Sequence, residues 1–280
     1  MPENFLITAP ELKARLDAGD YVVFDCRFSL VNPAAGLEAY LDGHIPSAVH
    51  VNLDDDLAGP VTAASGRHPL PGPDKFAEFL ARSGWAPGKT LVAYDDVGGA
   101  IAARLWWLMR YFGQQDARLL DGGIAAWKAA ELALEQGQSQ PRRQPSVKLE
   151  PSANMVLSTD EVAAGLQKQD IVLIDARSEE RFAGKGEPID AVAGHVPGAV
   201  NYPFNRSLEG DGTFKPASAI RAGITPLVGS TPARQVVHMC GSGVTACHNL
   251  LAAEMAGFSG CKLYVGSWSE WIRDGSRPVL

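Results

Sequence analysis

The chain has 280 residues, 46% of them hydrophobic and 20% charged, with a formal net charge of −7. That length suits two domains better than one, and the composition excludes a disordered chain. The acidic balance argues against a nucleic-acid surface, and no apolar run reaches the ~18 residues of a membrane-spanning helix.

The chain begins Met1-Pro-Glu-Asn-Phe-Leu6, without the basic and apolar regions of a secretory leader. Four cysteines without dense spacing fit a reducing compartment, so a cytoplasmic location with free thiols is expected. Tyr21-Val-Val-Phe-Asp-Cys-Arg27 is a short apolar run ending in Asp-x-Arg, the pattern of a buried strand delivering polar groups at its C-terminal end. Gly43-His-Ile-Pro-Ser-Ala-Val49 follows, then a helical pattern over 74–82, the strand-like Thr90-Leu-Val-Ala-Tyr-Asp95, and a second helical pattern over 100–112. Leu119-Leu-Asp-Gly-Gly-Ile-Ala-Ala-Trp127 closes this half. The polar, Pro-rich stretch 136–151 has no apolar periodicity and reads as an extended connector.

The second half repeats the series. Ser158-Thr-Asp-Glu161 is a capping box for a helix over 159–168. Ile171-Val-Leu-Ile-Asp-Ala-Arg177, Gly194-His-Val-Pro-Gly-Ala-Val200, Gln235-Val-Val-His-Met-Cys240 and Leu263-Tyr-Val-Gly-Ser-Trp-Ser-Glu-Trp271 match the first-half segments in order, with a helical pattern over 245–256. A period near half the chain means two homologous domains rather than a solenoid. The boundaries expected are 1–138, a connector over 139–153, and 154–280. Strand-helix alternation with short loops predicts the α/β class, each domain a parallel sheet flanked by helices on both faces. Ligands in such sheets bind at the C-terminal ends of the strands.

Cys240 stands at one of those ends, followed by Gly241-Ser-Gly-Val-Thr245 and then a helix. The glycines let several backbone N–H groups turn toward one point, and the helix adds its unpaired N–H groups. Such a cradle stabilises an anion, and the side chain aimed into it is a sulfur. Cys26, Cys247 and Cys261 lie in or beside apolar stretches and read as structural. In the first copy Asp95 stands where Cys240 stands in the second, and a carboxylate cannot carry sulfur. Arg27 and Arg177 are expected to pair with Asp25 and Asp175 or with nearby carbonyls, and Trp106, Trp107, Trp127, Trp268 and Trp271 to pack in cores and interfaces. Arg67 and His68 lie in a Gly/Pro-flanked loop with the reach to approach the site from the first domain.

These motifs together resemble the tandem-domain rhodanese family of sulfurtransferases over nearly the whole chain. Cys240-Gly-Ser-Gly-Val-Thr245 is similar to the active loop of its 3-mercaptopyruvate sulfurtransferases; His44-Ile-Pro46, Trp106-Trp107 and Gly266-Ser-Trp-Ser-Glu-Trp271 also fit the family. The resemblance implies two tandem rhodanese-like domains, with Cys240 as a nucleophile that becomes a persulfide. Gly241, Ser242, Gly243, Val244 and Thr245 would present backbone and hydroxyl groups to sulfur and leaving group. Arg181 would hold the donor's carboxylate in its guanidinium fork. His44 and Ser242 would relay a proton, while His195, the same motif in the second copy, reads as structural. The donor implied is 3-mercaptopyruvate or, alternatively, thiosulfate. The acceptor implied is a thiol such as thioredoxin, or cyanide. Neither metal nor organic cofactor is implied. Three departures stand out: Pro33 lies where the relay's acidic partner is expected, Ile189 where a second substrate arginine is expected, and Val265 where an acidic residue commonly precedes Gly-Ser-Trp.

Other chemistries fit less well. A cysteine phosphatase or arsenate reductase wants an arginine closing the loop, and Ala246 stands at that place. Gly241-x-Gly243-x-x-Ala246 matches a dinucleotide pattern but lacks an acidic residue about twenty positions on. A zinc site from His238, Cys240, Cys247 and His248 is disfavoured because Cys247-His248 open a helix and do not converge tetrahedrally with the strand residues, and His248 reads as a helix-surface residue. A non-catalytic interaction module is disfavoured by the intact cysteine loop.

Overall fold

The computed structural model describes residues 5–16 and 18–280; the leader reading of Met1–Asn4 lies outside them. The chain divides into two units, and neither is contiguous. The first holds Met1–Gly59, Pro71–Ser152 and Glu209–Phe214, and the second holds Pro60–Leu70, Ala153–Leu208 and Lys215–Leu280. The contiguous boundaries expected from the repeat leave out this exchange of two short segments, and the first of them carries Arg67 and His68.

In the first unit β1 (Leu6–Ile7), β2 (Tyr21–Asp25), β3 (Val49–His50), β4 (Thr90–Tyr94) and β5 (Ala117–Leu120) form a parallel sheet in the order β1-β5-β4-β2-β3. Alternation along the strands sends Val23, Val92, Tyr94 and Leu120 to one face, where they pack with Leu12, Ile124 and Trp127 of the helices Ala9–Leu16 and Gly123–Ala129. Phe24 points the other way, onto Phe79 of the helix Pro73–Arg82, ring centroids 5.7 Å apart. Each large apolar side chain buried this way contributes on the order of 2 kcal/mol.

The second unit repeats the plan with β6 (Val156–Leu157), β7 (Val172–Asp175), β8 (Val200–Asn201), β9 (Val236–Met239) and β10 (Lys262–Tyr264), parallel and ordered β6-β10-β9-β7-β8. Val237 and Met239 pack with Val162, Trp268 and Trp271 on one face. The helices Ala217–Val228 and Thr245–Met255 pack together, the latter also against β9. The Ser158 capping box is present, both of its reciprocal bonds formed, and the helix it opens runs Thr159–Lys168.

Each Asp-x-Arg motif closes on itself. The Arg27 guanidinium grips Asp25, Nη2 to Oδ2 at 2.5 Å, and donates to the Gly43 carbonyl at 2.8 Å. Arg177 does the same with Asp175 at 2.7 Å and Gly194 at 2.9 Å. These pairs tie the end of the strand beside the edge strand, β2 or β7, to the segment that returns before that edge strand. The connector carries no helix or strand over 138–152 and runs along the first unit, Gln144 N–H donating to the Ala81 carbonyl at 2.9 Å and Ser152 N–H to the Tyr111 carbonyl at 2.8 Å.

His238 lies fully buried in β9 with neither ring nitrogen hydrogen-bonded. Burial pulls its pKa down from 6.5 to about 3, so the folded protein holds it neutral. The unfolded chain takes up a proton below about pH 6.5 and the folded one does not, so stability is full above that pH and lost as pH falls. The predicted loss is about 1.4 kcal/mol per pH unit from this residue between pH 6 and 4. In denaturant titrations at several pH values, His238→Leu should lose acid sensitivity by that slope relative to the unaltered protein.

Candidate active site

Pairing of Asp175 with Met239 aligns the ends of β7 and β9, and Ala176 N–H donates to the Met239 carbonyl at 2.8 Å. The residue after this last rung is Cys240, which leaves the sheet at its C-terminal end. The loop then turns sharply. Gly243 has φ +77°, and a Cβ there would lie 2.5 Å from the Val265 carbonyl oxygen, so both backbone and space demand glycine. The turn brings Gly243 N–H onto Cys240 Sγ at 3.1 Å. The sulfur thus accepts a main-chain amide directly ahead of the helix Thr245–Met255.

A second tier holds this loop. Ser267 has φ +53°; its Oγ accepts Cys240 N–H at 3.1 Å and donates to the Tyr264 carbonyl at 2.9 Å. Trp268 N–H donates to the Cys240 carbonyl at 3.0 Å and Ser269 N–H to the Gly241 carbonyl at 2.8 Å. Thus the Gly-Ser-Trp-Ser motif binds the cysteine loop from behind. Cys247 Sγ donates to the Gly243 carbonyl at 3.3 Å, from one turn into the following helix.

The corresponding loop of the first unit is an internal control for the cradle. Asp95 is fully buried, and its carboxyl accepts four loop amides: Val97 at 2.9 Å, Gly99 at 2.7 Å, Ile101 at 2.8 Å and Ala102 at 2.9 Å. This loop type therefore does gather N–H groups around one side chain. Burial still pushes the Asp95 carboxyl above its ordinary range, against the amides that lower it.

The Pro60–Leu70 segment belongs to the second unit and brings two side chains to the loop. Gly66 N–H donates to Glu270 Oε2 at 3.2 Å, and Arg67 N–H to Ser269 Oγ at 3.0 Å. The backbones approach so closely here that a Cβ on Gly66 would lie 2.5 Å from the Gly266 carbonyl oxygen. His68, 2% exposed, then places Nδ1 2.7 Å from Ser242 Oγ. Arg67 places Nη2 3.2 Å from the ideal Cβ position of Gly241, where Arg181 Nη2 lies at 3.3 Å. Two guanidinium groups thus converge beside Gly241 although the loop itself carries no basic residue.

Arg181 is held by Glu187, both carboxyl oxygens 3.0 Å from Nε, and by Asp190, whose Oδ2 is 3.0 Å from Nη2. Burial pushes the Glu187 carboxyl up, but hydrogen bonds from Arg181 and from the Ile189 and Asp190 amides outweigh it and hold the group below its usual range. Asp190 also bonds Arg67, Oδ1 to Nη1 at 2.5 Å.

These contacts correct the sequence reading. His44 was the expected relay partner of Ser242, but the ring bonded to Ser242 is His68. His44 Nδ1 is bonded to the Tyr40 carbonyl at 2.8 Å and Nε2 to Ser139 Oγ at 3.1 Å, while its ring stacks on Tyr40. His195 repeats that bracing in the second unit, Nδ1 on the Phe182 carbonyl at 2.8 Å with the ring stacked on Phe182. The His-x-Pro motif is therefore a structural brace in both copies. His248 is fully buried against the edge of Phe204 rather than on a helix surface. Val244 is buried and Thr245 half-buried where the helix begins. The signal that pointed to Arg67 and His68 was their Gly/Pro-flanked loop, which carries no periodicity to say which sheet it joins. No group of three or more metal-ligating side chains occurs among the described residues. Burial raises the Cys26 thiol well above its ordinary value, with Asp95 adding to it, and pushes Cys261 up to about 12.

The rhodanese-like domain model matches this chain twice, over residues 8–130 and 158–274. Among curated proteins, the chain is 46% identical over 276 residues to a probable 3-mercaptopyruvate sulfurtransferase of Pseudomonas aeruginosa, covering 98% of this chain and 97% of that one. It is 40% identical over 279 residues to the putative thiosulfate sulfurtransferase SseB of Mycobacterium tuberculosis, covering 98% and 96%. Among solved structures, 3-mercaptopyruvate sulfurtransferase from Leishmania major superposes with a TM-score of 0.85 at 33% identity, over 97% of this chain and 75% of that one. The chain belongs to the rhodanese family and carries two rhodanese-like domains in tandem.

Proposed function

We propose that this protein transfers sulfane sulfur from 3-mercaptopyruvate to a thiol or cyanide through a persulfide on Cys240. The observation that carries this reading is the Gly243 amide on Cys240 Sγ at 3.1 Å, with two guanidinium groups beside the same loop. The Cys240 thiolate attacks the donor sulfur. A sulfur–sulfur bond forms, the donor's carbon–sulfur bond breaks, and its electron pair leaves on the enolate of pyruvate, which takes up a proton. Arg67 and Arg181 offer donors to the carboxylate beside the reacting carbon. His68 and Ser242 move the proton between donor thiol and leaving enolate. In the second half-reaction an acceptor such as thioredoxin, a small thiol or cyanide attacks the outer sulfur and restores the Cys240 thiolate, giving ping-pong kinetics. Such an intermediate suits the cytoplasm, where we place the protein.

Thiosulfate is the second reading. The paired guanidinium groups also suit a sulfur oxyanion, and the M. tuberculosis relative carries that name. Side-by-side kcat/KM values decide between them: 3-mercaptopyruvate is expected to be the better donor, and a clear preference for thiosulfate would reverse the assignment. Cys240→Ser should abolish turnover of either donor, and persistent turnover would overturn the persulfide route. His68→Ala should lower kcat for 3-mercaptopyruvate about 100-fold with little change in KM. In steady-state assays, an unchanged kcat would remove His68 from the proton path, and His44→Ala should leave kcat within about threefold.

A further inference from the structure

The two guanidinium groups beside the cysteine loop are not free cations awaiting a donor. The Asp190 side chain, 3% exposed, bridges them, Oδ1 to Arg67 Nη1 at 2.5 Å and Oδ2 to Arg181 Nη2 at 3.0 Å. Glu187 takes the Nε edge of Arg181. Arg67 and Arg181 with Asp190 and Glu187 are joined to the Asp175–Arg177 pair, Arg177 Nη1 reaching Glu187 Oε2 at 3.4 Å, so the cluster holds three positive and three negative charges. What remains for a ligand is directional. Arg67 Nη2 and Arg181 Nη1 carry no protein hydrogen bond, and they lie 3.2 and 3.6 Å from the ideal Cβ position of Gly241. Arg67 Nε is buried without a partner.

We propose that Asp190 is a specificity-determining residue, a built-in carboxylate that cancels positive charge between Arg67 and Arg181 and so selects a singly charged carboxylate donor over a doubly charged sulfur oxyanion. The inference rests on the function proposed above and names how that site chooses its donor. A carboxylate needs hydrogen bonds from the two unclaimed guanidinium donors and meets the Asp190 charge once. A thiosulfate dianion meets the same repulsion with twice the charge, in a partly buried setting where Coulomb energies are several-fold larger than in water. The position expected for a second substrate arginine holds Ile189, whose side chain is 39% exposed, while Asp190 next to it faces the two arginines. Charge at this site is therefore set by the balance between Asp190 and Arg67 rather than by a count of arginines in one segment.

The test uses Asp190→Asn, which keeps size and hydrogen bonding but removes the charge, and Asp190→Glu, which keeps the charge. KM and kcat are measured for 3-mercaptopyruvate and thiosulfate at low and high ionic strength. The expected result is that Asp190→Asn shifts the kcat/KM ratio toward thiosulfate by about tenfold or more, through KM. Raising salt should move the unaltered protein's ratio toward thiosulfate and move that of Asp190→Asn much less. Asp190→Glu should keep the original ratio. Equal losses with both donors in Asp190→Asn would mean that Asp190 merely holds the arginines in place and would overturn the proposal. So would a ratio that Asp190→Glu shifts as far as Asp190→Asn does. Turnover of neither donor by the unaltered protein would instead overturn the function itself, and this selectivity with it.

Discussion

A glycine-rich turn at the end of a parallel strand, aiming main-chain N–H groups at one side chain, is the constraint on which the site depends. The first unit shows what this turn does when the side chain is a carboxylate: Asp95 collects four amides. The second unit presents a sulfur to the same kind of turn, with the Gly243 amide already on it. Backbone donors cost no side-chain entropy to position and need no titratable neighbour to remain charged. A cradle of this kind supplies fixed main-chain donors to whichever anionic group stands at its centre.

The turn is held from two directions. Ser267, Trp268 and Ser269 bond Cys240 and Gly241 through backbone and hydroxyl groups, and the Pro60–Leu70 segment bonds Ser269 and Glu270 in turn. This coupling explains the composition of the Gly-Ser-Trp-Ser-Glu motif: glycine where the Glu270 side chain folds back on Gly266, hydroxyls where amides need acceptors, and Trp268 buried beneath with Arg177 over its ring. The same segment delivers His68 to Ser242 and Arg67 to the edge of Gly241. Structural support and functional groups therefore arrive together, and loosening one loosens the other.

Much of this was legible in the sequence, for physical reasons that differ from element to element. The duplicated apolar runs gave both sheets because buried parallel strands are apolar without interruption. The four helical patterns over 74–82, 100–112, 159–168 and 245–256 match helices at Pro73–Arg82, Ala102–Tyr111, Thr159–Lys168 and Thr245–Met255. Cys240 was legible because strand, glycine turn and helix lie consecutively in the chain. The partner of Ser242 was not. The repeat drew attention to His44 and His195, which match each other because both brace a loop. His68 has no counterpart in the duplication, and its segment leaves the first unit to join one whose cysteine turn carries Ser242, 174 residues further on. Arg67 and His68 stand out in the sequence only as a Gly/Pro-flanked loop with reach toward the site, without a role, and the absence of an arginine at Ile189 says nothing about cations supplied from elsewhere in the chain. Short segments exchanged between two units carry no periodicity, so pattern alone cannot assign them.

The most direct test is to treat the protein with 3-mercaptopyruvate in the absence of any acceptor and to map its peptides by mass spectrometry under non-reducing conditions. One added sulfur, about 32 Da, is predicted on the peptide containing Cys240, removable by cyanide. An unmodified Cys240 peptide accompanied by stoichiometric pyruvate release, or sulfur lodged on Cys26, Cys247 or Cys261 instead, would contradict the account.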